Sequence, residues 1–144
     1  MALLQKRRTT DLIVVHCAAT KATMDIGAAD IDIWHRQKGY NSIGYHFVIR
    51  RNGLVEAARD VETVGAHSKG FNSSSIGICL AGGIDAKGKP ENNFTPEQFA
   101  ALKDLLKSLK ATYKGVKIVG HRDLPGVAKA CPSFDVRAWL ASTK

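Results

Sequence analysis

The sequence has no long hydrophobic run, which excludes a chain that inserts into a membrane. No apolar stretch approaches the roughly 18 residues that a membrane-spanning helix needs, and the run at residues 12–15 has the length of a strand. A secretory signal is also missing, because Lys6, Arg7 and Arg8 follow the short apolar start instead of preceding it. We therefore expect no membrane insertion and a protein that stays in the cytoplasm of the cell that makes it.

Cysteines and acidic residues are both scarce. The three cysteines, Cys17, Cys79 and Cys131, are odd in number and widely separated, which is not the pattern of a disulfide framework. Only 13 acidic residues oppose 21 basic ones, so the net charge is +8. This excess predicts a polyanionic neighbour, such as nucleic acid, cell wall or membrane surface, or else simply solvated lysines. A specific nucleic-acid partner is not expected, because the chain lacks a recognition helix and an aromatic-studded basic strand.

The patterns that are present alternate between strands and helices. Strands are predicted at residues 12–16, 45–51, 54–59, 76–81 and 116–120. One helix is predicted at residues 28–38. A second starts at the capping box of Thr95 and ends before Gly115, and a third follows the N-cap Asp135. For 144 residues this indicates an α/β fold in a single domain, with a mixed central β-sheet of about five strands packed with about three helices.

Two connections have recognisable turn chemistry. Asn52-Gly53 lies between two strand-like runs, which predicts a hairpin with a type I′ turn. Residues 82–93 are rich in Gly and contain Pro90, which predicts a loop that joins a strand to a helix.

Two histidines stand where apolar strands end. Functional side chains of α/β folds gather at strand ends, and His16 and His121 each occupy such a position. Cys131 follows ten residues after His121. Two imidazoles and a thiolate suit zinc and leave a fourth position for water, which is the catalytic arrangement. The alternative is a pair of hydrogen-bonded histidines and an inert buried cysteine.

Several short segments, taken together, carry a family resemblance. They are HCAAT at residues 16–20, GYHFVI at 44–49, VGAHSKG at 64–70, SIGICL at 75–80, GHRD at 120–123 and KACPSFD at 129–135. In this order they resemble the zinc-dependent N-acetylmuramoyl-L-alanine amidases that are related to peptidoglycan-recognition proteins. The similarity is greatest to the small lysozyme-named amidases of T-seven-like phages, and it extends over residues 10–140.

The resemblance implies a set of site residues. It makes His16, His121 and Cys131 the ligands of one Zn²⁺ ion per chain, gives Tyr45 and Lys129 catalytic roles, and places His67 in the substrate groove. It also divides the chain into a basic N-terminal tail at residues 1–9 and a zinc amidase catalytic domain at residues 10–144.

Other candidates are set aside or left open. Strand alternation sends His46 and Cys17 away from the site, Cys79 is central to an apolar strand, and His35 lies on the apolar face of a helix. The general base is not assigned. The acids in or near the motifs, Glu56, Asp60, Glu62 and Asp123, match no base position of the phage branch.

The function implied is that of a phage endolysin. Such an enzyme cuts the amide between N-acetylmuramic acid and L-alanine in bacterial peptidoglycan, and a monomer is expected. It would remain in the host cytoplasm until a holin or lysis gives it access to the wall. The resemblance also implies a second partner, the phage's single-subunit RNA polymerase, which the protein would bind and inhibit. The basic segment Lys6-Arg7-Arg8 is a candidate for this contact, and the alternative is a frayed, solvated tail. The alternative is a non-catalytic protein that binds peptidoglycan or inhibits the polymerase.

Overall fold

A five-stranded mixed sheet forms the centre of the fold in the computed structural model, which describes residues 4–143. The strands in chain order are β1 (Leu12–Cys17), β2 (Thr20–Lys21), β3 (Phe47–Ile49), β4 (Val55–Ala57), β5 (Ser75–Leu80), β6 (Gly83–Ile84) and β7 (Lys117–Gly120). The central sheet has the order β4-β3-β5-β1-β7, and all its pairs are parallel except β3 with β4. The predicted five-stranded mixed sheet is therefore confirmed.

Three helices cover the sheet: α1 (Ala28–Gln37), α2 (Pro96–Thr112) and α3 (Val136–Ser142). The predicted capping box starts α2, since the Thr95 hydroxyl accepts from the backbone N–H of Gln98 and the Gln98 side chain accepts from the backbone N–H of Thr95, both at 3.0 Å. Asp135 caps α3 as predicted. Within residues 4–143, no helix is long and apolar enough to span a membrane.

The central strand β1 sends alternate side chains into two different layers. Ile13, Val15 and Cys17 lie in the hydrophobic cluster formed with α2 and α3. Val14 belongs to a cluster on the opposite face, and His16, two residues further along the strand, lies on that same face. The sheet is thus covered on both faces, and His16 is buried at 1% exposure because its strand is central.

The hairpin between β3 and β4 is confirmed, but its predicted type I′ turn is wrong. Gly53 has a φ of +88°, whereas Asn52 is not among the residues with positive φ, and a type I′ turn needs both. The backbone N–H of Gly53 donates to the Arg50 carbonyl, and the N–H of Arg50 donates to the Leu54 carbonyl. The loop therefore has three residues, and only its last position requires the left-handed conformation that glycine tolerates.

The connection predicted at residues 82–93 contains secondary structure of its own. Its first part forms β6, which pairs in parallel with β2, and Ile84 makes a further bridge to Pro90. The short pair β2-β6 was not predicted, because two residues are too few to show a periodicity. The predicted strand at 45–51 is also shorter, and Tyr45 and His46 precede it.

The described part of the N-terminal segment packs on the domain. Lys6 bridges to Thr63, and the buried Arg7 guanidinium donates to the carbonyls of Val61 and Thr63 at 2.6 and 2.9 Å. Lys6 and Arg8 are exposed. The three basic residues therefore differ in accessibility.

Candidate metal centre

The register of two parallel strands brings His16 and His121 together. Gly120, the last residue of β7, lies opposite Val15 of β1, so the next residue of each strand occupies the same level. The two imidazole rings have their centroids 4.5 Å apart. His121 begins a 3-10 turn, His121–Asp123, which the Asp123 carboxylate caps by accepting from the backbone N–H of Gly120.

Cys131 completes a group of three potential metal ligands. One ligand atom from each of His16, His121 and Cys131 lies within 4.8 Å of the others, and no second such group of His, Cys, Asp or Glu exists within residues 4–143. The backbone N–H of Cys17 donates to Cys131 Sγ at 3.1 Å. The hydrogen-bonded Cys17 thiol and burial raise the pKa of Cys131 above its usual value, so a metal bound there would displace the thiol proton. Two imidazoles and one thiolate form a donor set that suits zinc, so the residues fit the metal that the resemblance implies.

The protonation of the ligands is set by burial and nearby charge. Burial first, and then the neighbouring His67, His121 and Lys129, lower the pKa of His16 well below its usual value. The pKa of His121 is also lowered, by burial and by Lys129. Both imidazoles are therefore neutral at pH 7, which is the form that binds a metal.

A cleft of about 750 Å³ opens beside His121, the one candidate ligand among its lining residues. His121, His67 and the exposed Lys129 contribute to its wall, together with Tyr40 and Asn72. The cleft contains no carboxylate among its lining residues, so its charge at neutral pH is positive. It is large enough for a segment of a polar ligand to lie against His121.

His67 lines this cleft and also contacts a candidate ligand directly. Its Nδ1 lies 2.9 Å from Nε2 of His16. The hydroxyl of Ser68 lies between the two rings, and that of Ser75 lies 3.2 Å from His67 Nε2. Burial lowers the pKa of His67 to about 3, so the ring is neutral at pH 7.

Tyr45 packs against the same histidine. Its ring centroid is 5.0 Å from that of His16, and the side chain joins the hydrophobic cluster under α1. Burial is the main cause that raises the pKa of Tyr45 well above its usual value, so the phenol keeps its proton. Tyr45 is not among the residues that line the cleft.

The unassigned acids have contacts of their own. Each carboxylate accepts one hydrogen bond. The donors are the backbone N–H of Ala28 for Glu56, of Glu62 for Asp60 and of Gly120 for Asp123, and the Tyr113 hydroxyl for Glu62. None of the four belongs to the metal-ligand group found among residues 4–143. The structure therefore gives each acid a positioning contact and assigns none as the base.

The residues that the sequence set aside lie outside the ligand group. His46 is fully buried, donates from Nε2 to the Thr63 carbonyl and accepts from Gly77 N–H at Nδ1. His35 is half-buried and accepts from the backbone N–H of Gly44. The Cys17 thiol packs with the α2 and α3 cluster, and Cys79 is buried under α1.

Sequence reasoning missed the residues that hold His67 in place. Asn72 Oδ1 accepts from the backbone N–H groups of both His67 and Ser68 at 2.8 Å, and nothing in the pattern indicated this. Gly77 was the available signal, since a glycine inside a strand indicates a close approach. A Cβ there would lie 2.5 Å from Cγ of His67, so the ring rests directly on the backbone of β5.

Comparison with known proteins agrees with the resemblance found in the sequence. The family described as N-acetylmuramoyl-L-alanine amidase matches residues 6–134. The endolysin of Klebsiella phage KP32 is 56% identical over 93% of this chain and 87% of its own length. The endolysin of Escherichia phage T7 is 49% identical over 94% and 88%.

Solved structures show the same fold. The N-acetylmuramoyl-L-alanine amidase LysC of Clostridium intestinale superposes with a TM-score of 0.84 at 26% identity, over 99% of this chain and 89% of that one. Drosophila PGRP-LB superposes with a TM-score of 0.80 at 22% identity, over 97% and 85% of the two chains.

The buried His46 predicts a pH-dependent stability. Burial lowers its pKa to about 4, below the value of about 6.5 in an unfolded chain, so protons bind the unfolded state more readily. The stability associated with His46 is complete above about pH 6.5 and is lost as the pH falls towards about 4, to a limit of about 3 kcal/mol. Urea unfolding of wild type and His46→Gln across this window tests it, and parallel pH curves would contradict it.

Proposed function

The chain belongs to the N-acetylmuramoyl-L-alanine amidase family and is an amidase, and on this premise we propose that it is a zinc-dependent phage endolysin. It hydrolyses the amide bond between the lactyl group of N-acetylmuramic acid and the first L-alanine of the stem peptide in bacterial peptidoglycan. The observation that carries this proposal is the convergence of His16, His121 and Cys131 beside a cationic cleft.

The three converging side chains are those that would hold the ion. Nδ1 of His16 is on the side of the ring that faces Cys131, with its Nε2 already occupied by His67. A bound zinc ion supplies Lewis acidity, which polarises an amide carbonyl and lowers the pKa of water to about 7. An unactivated amide needs both effects, because it is a poor electrophile.

Lys129 and Tyr45 supply the remaining polar groups. The Lys129 ammonium stands on the cleft wall near His121, where it stabilises negative charge that develops on the scissile carbonyl oxygen. Tyr45 keeps its phenolic proton, so it acts as a hydrogen-bond donor beside His16. His67 contributes to the wall against which the substrate lies.

The positive charge of the protein suits its proposed partner. Stem peptides carry carboxylates, and the net charge of +8 favours their approach. The enzyme acts as a monomer in this proposal, and it waits in the host cytoplasm until a holin or lysis exposes the wall.

Digestion of isolated peptidoglycan tests the bond that is cut. The protein should release new L-alanine amino groups, and a chelator should abolish the release until zinc is restored. New reducing sugar ends would instead identify a glycosidase and overturn the proposal. Binding to peptidoglycan without any new ends would favour the non-catalytic alternative.

The role of Cys131 is tested by replacing its thiolate. Cys131→Ser should weaken zinc binding by more than about 100-fold, beyond the loss typical of an outer-shell partner, because a neutral hydroxyl replaces the anionic ligand. Cys17→Ser is the matched control and should retain zinc, since the backbone N–H of Cys17 still donates to Cys131 Sγ. Full zinc occupancy in Cys131→Ser, measured by competition with a chromophoric chelator, would remove Cys131 from the ligand set.

Two further variants should lose catalysis while they retain the metal. Tyr45→Phe and Lys129→Ala should each keep one zinc ion per chain but lose at least about 100-fold in turnover, the scale for removal of one transition-state donor. Metal content and the rate of amide cleavage are measured on the same preparations. Loss of zinc in either variant, or unchanged turnover in both, would contradict this division of roles.

The second proposed role is the binding and inhibition of the phage RNA polymerase. It rests on the sequence resemblance, and the structure narrows the contacts that the basic segment can offer. Arg7 is buried and hydrogen-bonded to the domain, which leaves the exposed Lys6 and Arg8.

The exposure of Lys6 and Arg8, and the burial of Arg7, predict the outcome of transcription assays. Replacing Lys6 and Arg8 with Ala should weaken polymerase inhibition and leave peptidoglycan hydrolysis intact. Both side chains are exposed, and in this proposal they lie at the rim of the polymerase interface. Tyr45→Phe should show the reverse. The absence of any complex with purified polymerase at micromolar concentration, without DNA, would leave the protein as an amidase alone.

A further inference from the structure

We infer that His67 is a positioning residue for His16: its Nδ1 accepts a hydrogen bond from His16 Nε2, which keeps the proton of His16 on Nε2 and leaves Nδ1 for the metal. This inference deepens the proposed zinc site and rests on it. It gives His67 a role different from the groove contact that the sequence resemblance implied. It follows from the directions of three successive hydrogen bonds.

The directions start at a backbone carbonyl, which can only accept. The Ser75 hydroxyl lies 2.7 Å from the Phe71 carbonyl oxygen and donates its one proton there. Ser75 Oγ is also 3.2 Å from Nε2 of His67. Because the hydroxyl proton is already committed, Ser75 Oγ must accept from His67, and the proton of the His67 ring therefore lies on Nε2.

The tautomer of His67 in turn determines the tautomer of His16. A neutral imidazole with its proton on Nε2 has a bare Nδ1, which can only accept. That Nδ1 lies 2.9 Å from Nε2 of His16, so His16 donates from Nε2. His16 Nδ1 is consequently bare, and it lies on the side of Cys131, 3.9 Å from Sγ.

The Ser68 hydroxyl agrees with this assignment. Its oxygen lies 3.1 Å from His67 Nδ1 and 3.3 Å from His16 Nε2, and the side chain is buried. A bare nitrogen on His67 and an N–H on His16 allow Ser68 to donate to the first and accept from the second. The opposite tautomer of His16 would put a proton on Nδ1, towards the other ligands, and would block the metal.

The ring of His67 is held from both sides, as a positioning residue requires. Gly77 lets it lie against β5, and Gly65 is equally close, since a Cβ there would be 2.7 Å from Cδ2 of His67. Asn72 fixes the backbone of His67. A zinc-ligating histidine commonly donates to a carboxylate. Here the acceptor is an imidazole nitrogen instead of a carboxylate, so the partner brings no negative charge to the ligand group.

Nuclear magnetic resonance on the zinc-loaded, full-length protein tests the tautomers directly. Long-range correlations between ring protons and ¹⁵N should show His16 protonated at Nε2 and metal-bound at Nδ1, and His67 protonated at Nε2. Protonation of His16 at Nδ1 would overturn the inference. It would leave the proposed function intact, because zinc binding by the wild type is measured independently of the tautomer.

Variants of His67 test the energetic consequence. His67→Phe removes the acceptor and should weaken zinc binding by about 10- to 100-fold, the range for an outer-shell partner. His67→Gln supplies an amide oxygen as acceptor and should restore part of this loss. His35→Phe is the matched control, since His35 lies outside the ligand group and should leave zinc affinity unchanged.

Ser75→Ala provides a milder test should the larger replacements disturb folding. It keeps both imidazoles but removes the acceptor for His67 Nε2–H, so the Nε2-protonated form of His67 loses a stabilising hydrogen bond and zinc binding should weaken. Wild-type zinc affinity in His67→Phe, or in Ser75→Ala, would show that His67 does not position His16.

Discussion

The parallel register between β1 and β7 is the constraint on which the site depends. Because Val15 pairs with Gly120, the residues that follow in each strand lie side by side, although they are 105 positions apart in the chain. A slip of one residue would turn His16 to the other face of the sheet, into the cluster that contains Val15 and Cys17. The hydrophobic alternation of β1 opposes such a slip, so the packing of the core and the geometry of the ligands depend on one register.

Burial of several imidazoles near one another is the second constraint. His16, His46 and His67 are each held by defined donors and acceptors, so none needs a charge to be satisfied. Their burial lowers the pKa of all three, which keeps the rings neutral at the pH at which a metal would compete with protons. The histidine layer under the cleft therefore acts as a hydrogen-bonded support for the candidate ligands.

Much of the fold could be predicted from local chemistry. The capping box of α2, the N-cap of α3 and the apolar run of β1 each depend on neighbouring residues, and the structure confirms them. The type I′ turn predicted at Asn52-Gly53 was wrong because the loop has three residues and only Gly53 adopts a positive φ. The contacts of Arg7 and the serine partners of His67 join segments far apart in the chain, and no local pattern encodes such pairs. The convergence of His16, His121 and Cys131 was expected from the family resemblance, since spacing alone does not pair residues over such distances.

The central claim is that two imidazoles and one thiolate of this chain hold a zinc ion. X-ray absorption at the zinc edge of the purified protein measures that coordination most directly. The account predicts one sulfur at about 2.3 Å and two imidazole nitrogens at about 2.0–2.1 Å, with a further light atom completing the shell. A shell without sulfur, or one with two sulfurs from Cys131 and Cys17 together, would contradict it.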